Sequence, residues 1–271
     1  MADGEGDFTV EQGWDAYSRQ DHAIWRRLFE RQSKLLVGRA CDEFIAGLQD
    51  LGVAADGIPH FGRLSQVLER ATGWRIVAVP GLVPDDVFFA HLAARRFPAT
   101  HWIRRPEQLD YLQEPDVFHD VFGHVPLLMN PIFADYLQAY GQGGLKALSL
   151  GALPYLARLY WYTVEFGLIE TAQGLRIYGS GIVSSKTESV YALESAKPNR
   201  IAFDLLRIMQ TEYRIDDLQD CYFVIDSFAQ LFDATRPDFT PYYETLRSRQ
   251  DLSPSDVTAT DRLVRLPKTA A

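Results

Sequence analysis

The sequence has few cysteines and no long apolar run, and both shortages narrow what the chain can be. Only Cys41 and Cys221 occur among 271 residues, too few for a disulfide framework or a cysteine-based zinc site. Two reduced thiols are expected, as in a cytoplasmic protein. No apolar segment reaches the ~18 residues that a membrane-spanning helix needs. The first residues, MADGEGDFTVEQ, also lack the basic-then-apolar layout of a signal peptide.

Basic residues are outnumbered as well. The chain has 27 lysines and arginines against 36 aspartates and glutamates, a formal net charge of −9. This acidic balance argues against nucleic acid or an anionic membrane as the main partner. The composition is otherwise that of a globular protein, and a chain of this length buries roughly 75% of its unfolded surface.

The spacing of apolar residues predicts a chain built mainly from helices. Helices are predicted from about Asp21 to a stop at Gly52, and over FGRLSQVLERATG and PDDVFFAHLAARRF. Others are predicted over 115–123, over FADYLQAYGQGG with its glycines closing the helix, and over LPYLARLYWYTVEFGLIET. WRIVAV, FPATHWIRR and LRIYGSGIVSS are β-prone, and two further elements are expected at 197–213 and 222–233.

No internal repeat or low-complexity linker divides the chain. The prediction is a mainly α fold with a small β component (α+β), forming a single domain over 14–250. A polar, Gly-rich flexible arm is expected at 1–13, and a peripheral tail rich in Ser, Asp and Thr at 251–271.

Two of the six histidines, His119 and His124, lie in one motif, PDVFHDVFGHVP. In an α-helix five residues turn through roughly 500°, so the two rings would point ~140° apart. They converge only if the helix ends between them, an ending that Gly123 and Pro126 favour. The spacing indicates a metal pair moderately well, with two structural histidines as the alternative.

A third ligand must come from elsewhere, and Glu165 in WYTVEFGL is the unusual acid of the chain. A carboxylate among apolar neighbours is costly unless a metal or cation compensates it. Two histidines and one carboxylate would form the face that leaves open positions on a non-haem iron. An ion pair with Arg158 is the alternative, and Glu170 lies too close for periodicity alone to choose between the two acids.

Several segments resemble, in family order over about 15–235, the catalytic domain of the pterin-dependent aromatic amino acid hydroxylases. They are DHAIWRRLFERQ, VPGLVPDDVFFAHLAARRF, HWIRR, EPDVFHDVFGHVPLL, YWYTVEFGL, RIYGSGIVSSKTE and CYFVIDSF. The resemblance implies a single basket-like catalytic domain and an iron(II) monooxygenase that converts L-phenylalanine to L-tyrosine with O2. It implies that His119, His124 and Glu165 bind Fe(II), and it favours Glu165 over Glu170.

The resemblance also implies a site for a tetrahydropterin, either tetrahydrobiopterin or a bacterial analogue. A loop would hold the pterin, Phe88 would stack on it, and Asp120 would reach it through water. The residues so assigned are Gly81, Leu82, Val83, Phe88, Asp120, Ala157 and Tyr160. Core packing is the alternative role for Phe88.

For the substrate, the resemblance implies that Arg104, positioned by Asp116, binds the carboxylate, a task that suits a guanidinium. The further residues assigned to the substrate site are Pro115, Trp161, Phe166, Gly181, Ser184 and Val224. Ser184 and Glu188 would steady His119. Leu112 departs from the Thr of animal members, which weakens part of this assignment. Val224 stands where tyrosine hydroxylases have Asp, and an apolar residue there favours phenylalanine.

Two other functions fit the same residues. A zinc hydrolase built on the three ligands would need a general base and no pterin. An amino-acid-binding protein with structural histidines would keep its fold and its ligand without metal. The chain has no room for the regulatory domain and tetramerisation helix of animal members, so a monomer is expected.

Overall fold

The computed structural model describes residues 6–110, 112 and 114–265. It confirms a mainly helical fold with a small β component. The α-helices of the described residues are α1 Arg19–Leu35, α2 Asp42–Asp50, α3 Phe61–Thr72, α4 Asp85–Ala93, α5 Pro131–Ser149, α6 Leu153–Tyr160, α7 Ser180–Val183, α8 Lys186–Glu194, α9 Leu205–Gln210, α10 Phe228–Thr235 and α11 Thr240–Arg247. None of them combines the length and the apolarity needed to cross a bilayer.

Two small sheets complete the fold. The strands are β1 Arg75–Val79, β2 Arg96–Thr100, β3 Leu168–Thr171, β4 Gly174–Ile177, β5 Asn199–Ala202 and β6 Cys221–Ile225. β1 and β2 pair in parallel, and the second sheet has the order β4-β3-β6-β5. All five residues of β6 are buried, as expected of a parallel strand covered on both faces.

Local sequence signals account for the longest of the N-terminal helices. Ser18 and Asp21 form a capping box that begins α1 at Arg19. The buried face of α1 carries Ile24, Trp25 and Leu28 at helical spacing. α3 ends as predicted at Gly73, which adopts the left-handed conformation with φ 76°.

The apolar segment after Leu153 does not continue as one helix to Thr171, contrary to prediction. The helical part ends at Glu165, and β3 begins at Leu168. Phe166 leaves the helical conformation, with φ −125° and ψ 34°. Gly167 then packs so closely that a Cβ would lie 2.1 Å from the Tyr178 ring. LRIYGSGIVSS is likewise only half β, because β4 ends at Ile177 and α7 follows.

The three glycines of FADYLQAYGQGG do not end a helix, which corrects the prediction. α5 runs through Gly141, Gly143 and Gly144 to Ser149. A Cβ on Gly141 would lie 2.5 Å from the Ala93 backbone nitrogen, and one on Gly144 would lie 2.0 Å from the Phe89 ring. Two of the glycines therefore let α4 approach α5 closely, which a sequence pattern read as a helix stop does not reveal.

We expect Gly144→Ala to lower the free energy of unfolding by about 1–3 kcal/mol, because the added methyl group forces Phe89 and α4 apart. Gly143→Ala is the matched control. It lies one residue earlier in α5, has open space at its Cβ, and should raise stability by up to about 1 kcal/mol through helix propensity. Urea unfolding of both variants measures this. Equal effects would show that α4 is not held by this contact.

The described part of the N-terminal arm is held against the domain rather than loose. The Val10 amide donates to the Ala78 carbonyl over 2.9 Å, and the Gln12 side chain bonds with Pro59 and Phe61. Asp7 lies 3.6 Å from Arg96. Residues 6–13 of the predicted flexible arm therefore contact the domain, and residues 1–5 lie outside the described part.

The C-terminal tail packs on α6 and α9. Asp251 accepts two hydrogen bonds of 2.7 Å from Arg158, and Asp261 binds Arg207 at 3.0 Å. The Leu252 amide donates to the Gln210 carbonyl. Residues 251–265 are thus tied to the domain by buried arginines, while 266–271 lie outside the described residues.

Candidate metal centre

His119 and His124 project from one π-helical turn, Phe118–His124. The prediction that the helix ends between them at Gly123 is wrong. A π-helix bonds residue i to i+5, so residues five apart lie above one another on the same face. The wider π-helical turn therefore brings the two imidazole rings together without a break in the helix. Gly123 allows close packing instead, since a Cβ there would lie 3.0 Å from the Ser180 carbonyl oxygen.

Glu165 ends a second π-helical turn, Trp161–Glu165, which follows α6 directly. Its Oε1 lies 3.2 Å from His124 Nε2 and its Oε2 lies 3.6 Å from His119 Nε2. The two Nε2 atoms are 3.1 Å apart. This is close to the ~3.0 Å expected of two ligands that lie roughly 2.1 Å from a metal at a right angle.

The hydrogen bonds of His119 leave its Nε2 lone pair free. The Ser184 hydroxyl donates to the Ser180 carbonyl over 2.7 Å, so it accepts from His119 Nδ1, which lies 2.9 Å away. His119 Nε2 then carries no proton and faces His124 Nε2 and a carboxylate. The unprotonated His119 Nε2 and the Glu165 carboxylate point at the same space beside His124 Nε2, a position that suits a cation. The donor set therefore fits a divalent metal.

The electrostatics of His119 and Glu165 agree with this. Burial lowers the pKa of His119 and keeps the imidazole neutral. Burial opposes ionisation of Glu165, yet the two histidines and the Ser180 hydroxyl lower the pKa of its carboxyl group. Neutral imidazoles and an ionised carboxylate are the protonation states that bind a metal ion.

The structure also decides between the alternatives that the sequence left open. Arg158 is paired with Asp251 and is therefore not the partner of Glu165. Glu170 is exposed on β3. Within the described residues, only the group of His119, His124 and Glu165 brings three potential ligand atoms within 4.8 Å of one another.

Ser180 could not be identified from the sequence, and its hydroxyl hydrogen-bonds to the carboxylate of this centre. Its hydroxyl lies 2.9 Å from Glu165 Oε2 and 3.1 Å from the Val164 carbonyl, and its side chain is 1% exposed. It lies in the RIYGSGIVSS segment, but serine between glycines has no pattern that identifies a carboxylate partner.

We expect Ser184→Ala to weaken metal binding by about 10- to 100-fold, the usual cost of losing the partner that orients a ligating histidine. The variant removes the oxygen that accepts from His119 Nδ1. Titration of the apoprotein with Fe(II) measures the change. Ser185→Ala serves as the control, because Ser185 caps α8 and does not bond with a histidine. Equal affinity in Ser184→Ala and the native chain would contradict the assignment.

Glu188 does not steady His119 directly, contrary to prediction. Its Oε1 accepts from the Tyr222 hydroxyl and from the Gln219 amide, the latter at 3.2 Å. Burial raises the pKa of the Glu188 carboxyl group. Ser184 therefore contacts His119, whereas Glu188 binds Gln219 and Tyr222.

A cavity of about 650 Å³ opens beside His119 and Glu165. Most of the predicted substrate residues line it, namely Arg104, Pro115, Trp161, Phe166, Gly181 and Ser184, as does Leu112. Asp116 lies behind the wall and is fully buried, and Val224 is buried within β6, paired with Leu168 and Ala202. Val224 thus lies outside the cavity lining, so a direct substrate contact by its side chain does not follow from the structure.

Arg104 is held in place by Asp116. Arg104 Nε and Nη2 each donate to one Asp116 oxygen over 2.8 Å, the bidentate geometry that a guanidinium favours. Asp116 also accepts from the His119 amide at 3.1 Å. One buried carboxylate therefore fixes both the cavity arginine and the start of the metal-binding turn. The Arg104 Nη1 group keeps only a long contact, 3.5 Å, with the Leu109 carbonyl.

The predicted pterin residues do not line this cavity, and two of them lie near His124. The Tyr160 ring lies 6.3 Å from the His124 ring and 5.8 Å from Phe88, which is half-buried.

Asp120 accepts from the Thr100 amide and hydroxyl at 2.7 and 2.9 Å, and burial raises the pKa of this carboxyl group to about 7. Ala157 is half-buried on α6, and the loop with Gly81, Leu82 and Val83 precedes α4, Leu82 being 78% exposed. An exposed loop, an aromatic ring and a carboxylate suit a flat polar heterocycle.

Comparison with known proteins agrees with this arrangement. Residues 14–258 match the family described as biopterin-dependent aromatic amino acid hydroxylase. The phenylalanine-4-hydroxylase of Ralstonia nicotianae is 69% identical over 258 residues, covering 95% of this chain and 82% of that protein. The one of Chromobacterium violaceum is 67% identical over 255 residues, covering 94% and 86%.

Solved structures of the Chromobacterium violaceum phenylalanine hydroxylase share the fold. The structure with bound Fe(III) has a TM-score of 0.94 at 64% identity and covers 97% of this chain and 96% of that one. The structure with bound iron and phenylalanine has a TM-score of 0.93 at 62% identity, covering 96% and 95%. This chain belongs to the family of biopterin-dependent aromatic amino acid hydroxylases.

Proposed function

We propose that this chain hydroxylates L-phenylalanine to L-tyrosine, with Fe(II), a tetrahydropterin and O2. One observation carries the proposal. Two of the three candidate ligands, His119 and Glu165, line the same cavity as the buried Arg104, so a bound amino acid would have its carboxylate on the arginine and its ring beside the metal position. Relatives at 59–69% identity carry the name phenylalanine-4-hydroxylase.

His119, His124 and Glu165 are the residues that would hold the iron. When bound, iron and tetrahydropterin together supply the activation of O2 and the electrons that the protein's side chains lack. Three protein ligands on one face leave the rest of the coordination sphere open toward the cavity. Phe88, Tyr160 and the loop at 81–83 would hold the pterin, and Asp120 would bond with its polar edge through water.

The substrate is bound and oriented by the chain's own groups. The Arg104 guanidinium, already neutralised on one edge by Asp116, would receive the carboxylate on its Nη1 side. Trp161 and Phe166, whose ring centres lie 4.7 Å apart, would wall the substrate ring, with Pro115 opposite. The apolar cavity wall excludes water from the ring and fixes which carbon faces the metal position.

The test is tyrosine formation by the purified protein supplied with phenylalanine, Fe(II), a tetrahydropterin and O2. Each component is omitted in turn. Tyrosine that forms only in the complete mixture supports the proposal. Hydroxylation of tryptophan or tyrosine instead would support the metal centre but contradict phenylalanine as the substrate. Hydrolytic activity with zinc and no pterin dependence would overturn the proposal.

We also propose that the chain acts as a cytoplasmic monomer that does not bind nucleic acid. Both cysteines are free and buried, which suits a reducing compartment, and the net charge of −9 opposes binding to a polyanion. Sedimentation at micromolar concentration is the direct check, and a stable tetramer would contradict the monomer.

A further inference from the structure

Residues 215–219 form part of the rim of the cavity that Arg104 also lines, and Gln219 anchors this rim segment. Gln219 is 3% exposed and lines the cavity together with Trp161. It was not among the residues that the sequence identified, because a single glutamine in a polar stretch carries no motif. Its hydrogen bonds give it a defined orientation.

Every polar group of the Gln219 side chain is used. Its Oε1 accepts from the Trp161 indole Nε1 over 2.9 Å. Its Nε2 donates to the Arg214 carbonyl at 3.0 Å and to the Asp217 carbonyl at 3.3 Å. Two carbonyls require the nitrogen on their side, so the oxygen must face the indole. The amide therefore joins the rim segment to the cavity wall in one orientation only.

The backbone of Gln219 is fixed as well. Its amide donates to Glu188 Oε1, the same oxygen that accepts from the Tyr222 hydroxyl. Glu188 and Tyr222 lie on α8 and β6, so the position of Gln219 is set by two elements of the core. The hydrogen bond to the indole thus connects Trp161 to a rigid base rather than to a mobile loop.

The Trp161 ring has no comparable polar contact elsewhere in the described residues. It lies between Phe166, with ring centres 4.7 Å apart, and Tyr213, stacked at 4.5 Å. Stacking sets the plane of a ring but leaves it free to slide and turn within that plane. The indole N–H is the one group whose direction determines which edge of the ring faces the cavity.

We propose that Gln219 is a positioning residue that sets the orientation of the Trp161 indole and thereby the shape of the pocket for the substrate ring. This inference rests on the proposed function. The wall contacts the ring in the ground state and in the transition state alike, so a disordered wall weakens both equally. Loss of the hydrogen bond then raises KM and leaves kcat nearly unchanged.

The experiment is a double-mutant cycle between Gln219→Met and Trp161→Phe, with KM and kcat for phenylalanine as readouts. Gln219→Met keeps the length of the side chain and removes the acceptor. We expect it to raise KM about fivefold with kcat within about twofold. In the Trp161→Phe background, which has no indole N–H, the same change should alter KM by less than about twofold. An unchanged KM in Gln219→Met, or an equal rise in both backgrounds, would overturn the inference.

Gln210→Met is the matched control, because Gln210 donates to the Gln250 carbonyl and does not line the cavity. Should Gln219→Met be insoluble, Gln219→Asn tests the same bond, since its amide ends one methylene short of the indole. Its KM should rise in the native background and not in Trp161→Phe.

A second readout separates this inference from the proposed function. The chain has five tryptophans, so labelling with 5-fluorotryptophan gives five fluorine resonances, and Trp161→Phe identifies the line of Trp161. Without iron or pterin, that line should be sharp in the native chain, shift on addition of phenylalanine, and broaden in Gln219→Met. If the native chain forms no tyrosine but its Trp161 line shows these changes, the proposed function is overturned and the positioning role is not. If the chain is active but the Trp161 line is the same in the native chain and in Gln219→Met, the positioning role is overturned and the function is not.

Discussion

Glu165→Gln should reduce tyrosine formation by more than about 100-fold, because losing a ligand costs more than the 10- to 100-fold typical of the residues behind the ligands. The substitution keeps the shape of the side chain and removes its charge. The carboxylate lies 3.2 Å from His124 Nε2 and 3.6 Å from His119 Nε2. A neutral amide binds a divalent cation weakly, so the iron content after dialysis should fall in parallel with the activity.

The effect of Fe(II) on thermal stability distinguishes a lost ligand from a damaged fold in Glu165→Gln. In the native chain, Fe(II) at 100 times its Kd should stabilise the fold by about 2.7 kcal/mol, and a chelator should remove that gain. In Glu165→Gln the thermal midpoint should be nearly independent of Fe(II). Without metal, the variant should be no more stable than the native chain, because the histidines and the Ser180 hydroxyl, which lower the pKa of the Glu165 carboxyl group, stabilise its ionised form in the folded state.

Glu170→Gln is the control for both measurements. Glu170 lies five residues further on, is exposed on β3, and should leave activity and iron content unchanged. Full activity in Glu165→Gln, or equal losses in both variants, would contradict the assignment of Glu165 as the third ligand.

Several helices and the two histidines of the candidate metal centre could be predicted from sequence because their signals are local. Apolar spacing located α3, α4 and the start of α1, although the helix predicted to continue to Gly52 is divided into α1 and α2. Gly73 marked an end that the structure confirms. The resemblance supplied the third acid, which periodicity alone had left open. These predictions depend on short segments whose conformation their own residues largely decide.

The way in which the histidines converge could not be predicted, because a π-helical turn is decided by packing around it. Five residues do not align in an α-helix, and a break at Gly123 was the local solution. The structure widens the turn instead, at a place where Gly123 packs against Ser180. Ser180 and Gln219 escaped prediction for a related reason. Each acts through a contact with a residue distant in sequence, 15 and 58 positions away.

The glycines of α5 show the same limit. In sequence, three glycines near the end of an amphipathic stretch read as a helix stop. In the structure, the contact with α4 needs two of them inside the helix, and packing between the two helices outweighs the low helix propensity of glycine.

Arg104→Lys should raise KM for phenylalanine by about 10- to 100-fold, the range that corresponds to the 1.5–3 kcal/mol of a hydrogen bond to a charged group. Lysine keeps a positive charge near Asp116, so the buried carboxylate is not left unpaired, a loss that would cost about 3–5 kcal/mol of stability. One ammonium cannot hold Asp116 on one edge and a substrate carboxylate on the other, as the planar guanidinium does. Arg105→Lys is the control, because Arg105 is adjacent and exposed.

Phenethylamine, which has the ring of phenylalanine but no carboxylate, distinguishes substrate binding from an effect on the metal centre. If Arg104 binds the carboxylate, the native chain and Arg104→Lys should hydroxylate phenethylamine with similar kcat/KM, and only phenylalanine should discriminate between them. Asp116 also accepts from the His119 amide, so an indirect effect would lower iron content and slow both substrates equally. That second result would make Arg104 a support of the metal-binding turn and leave the substrate carboxylate without its proposed partner.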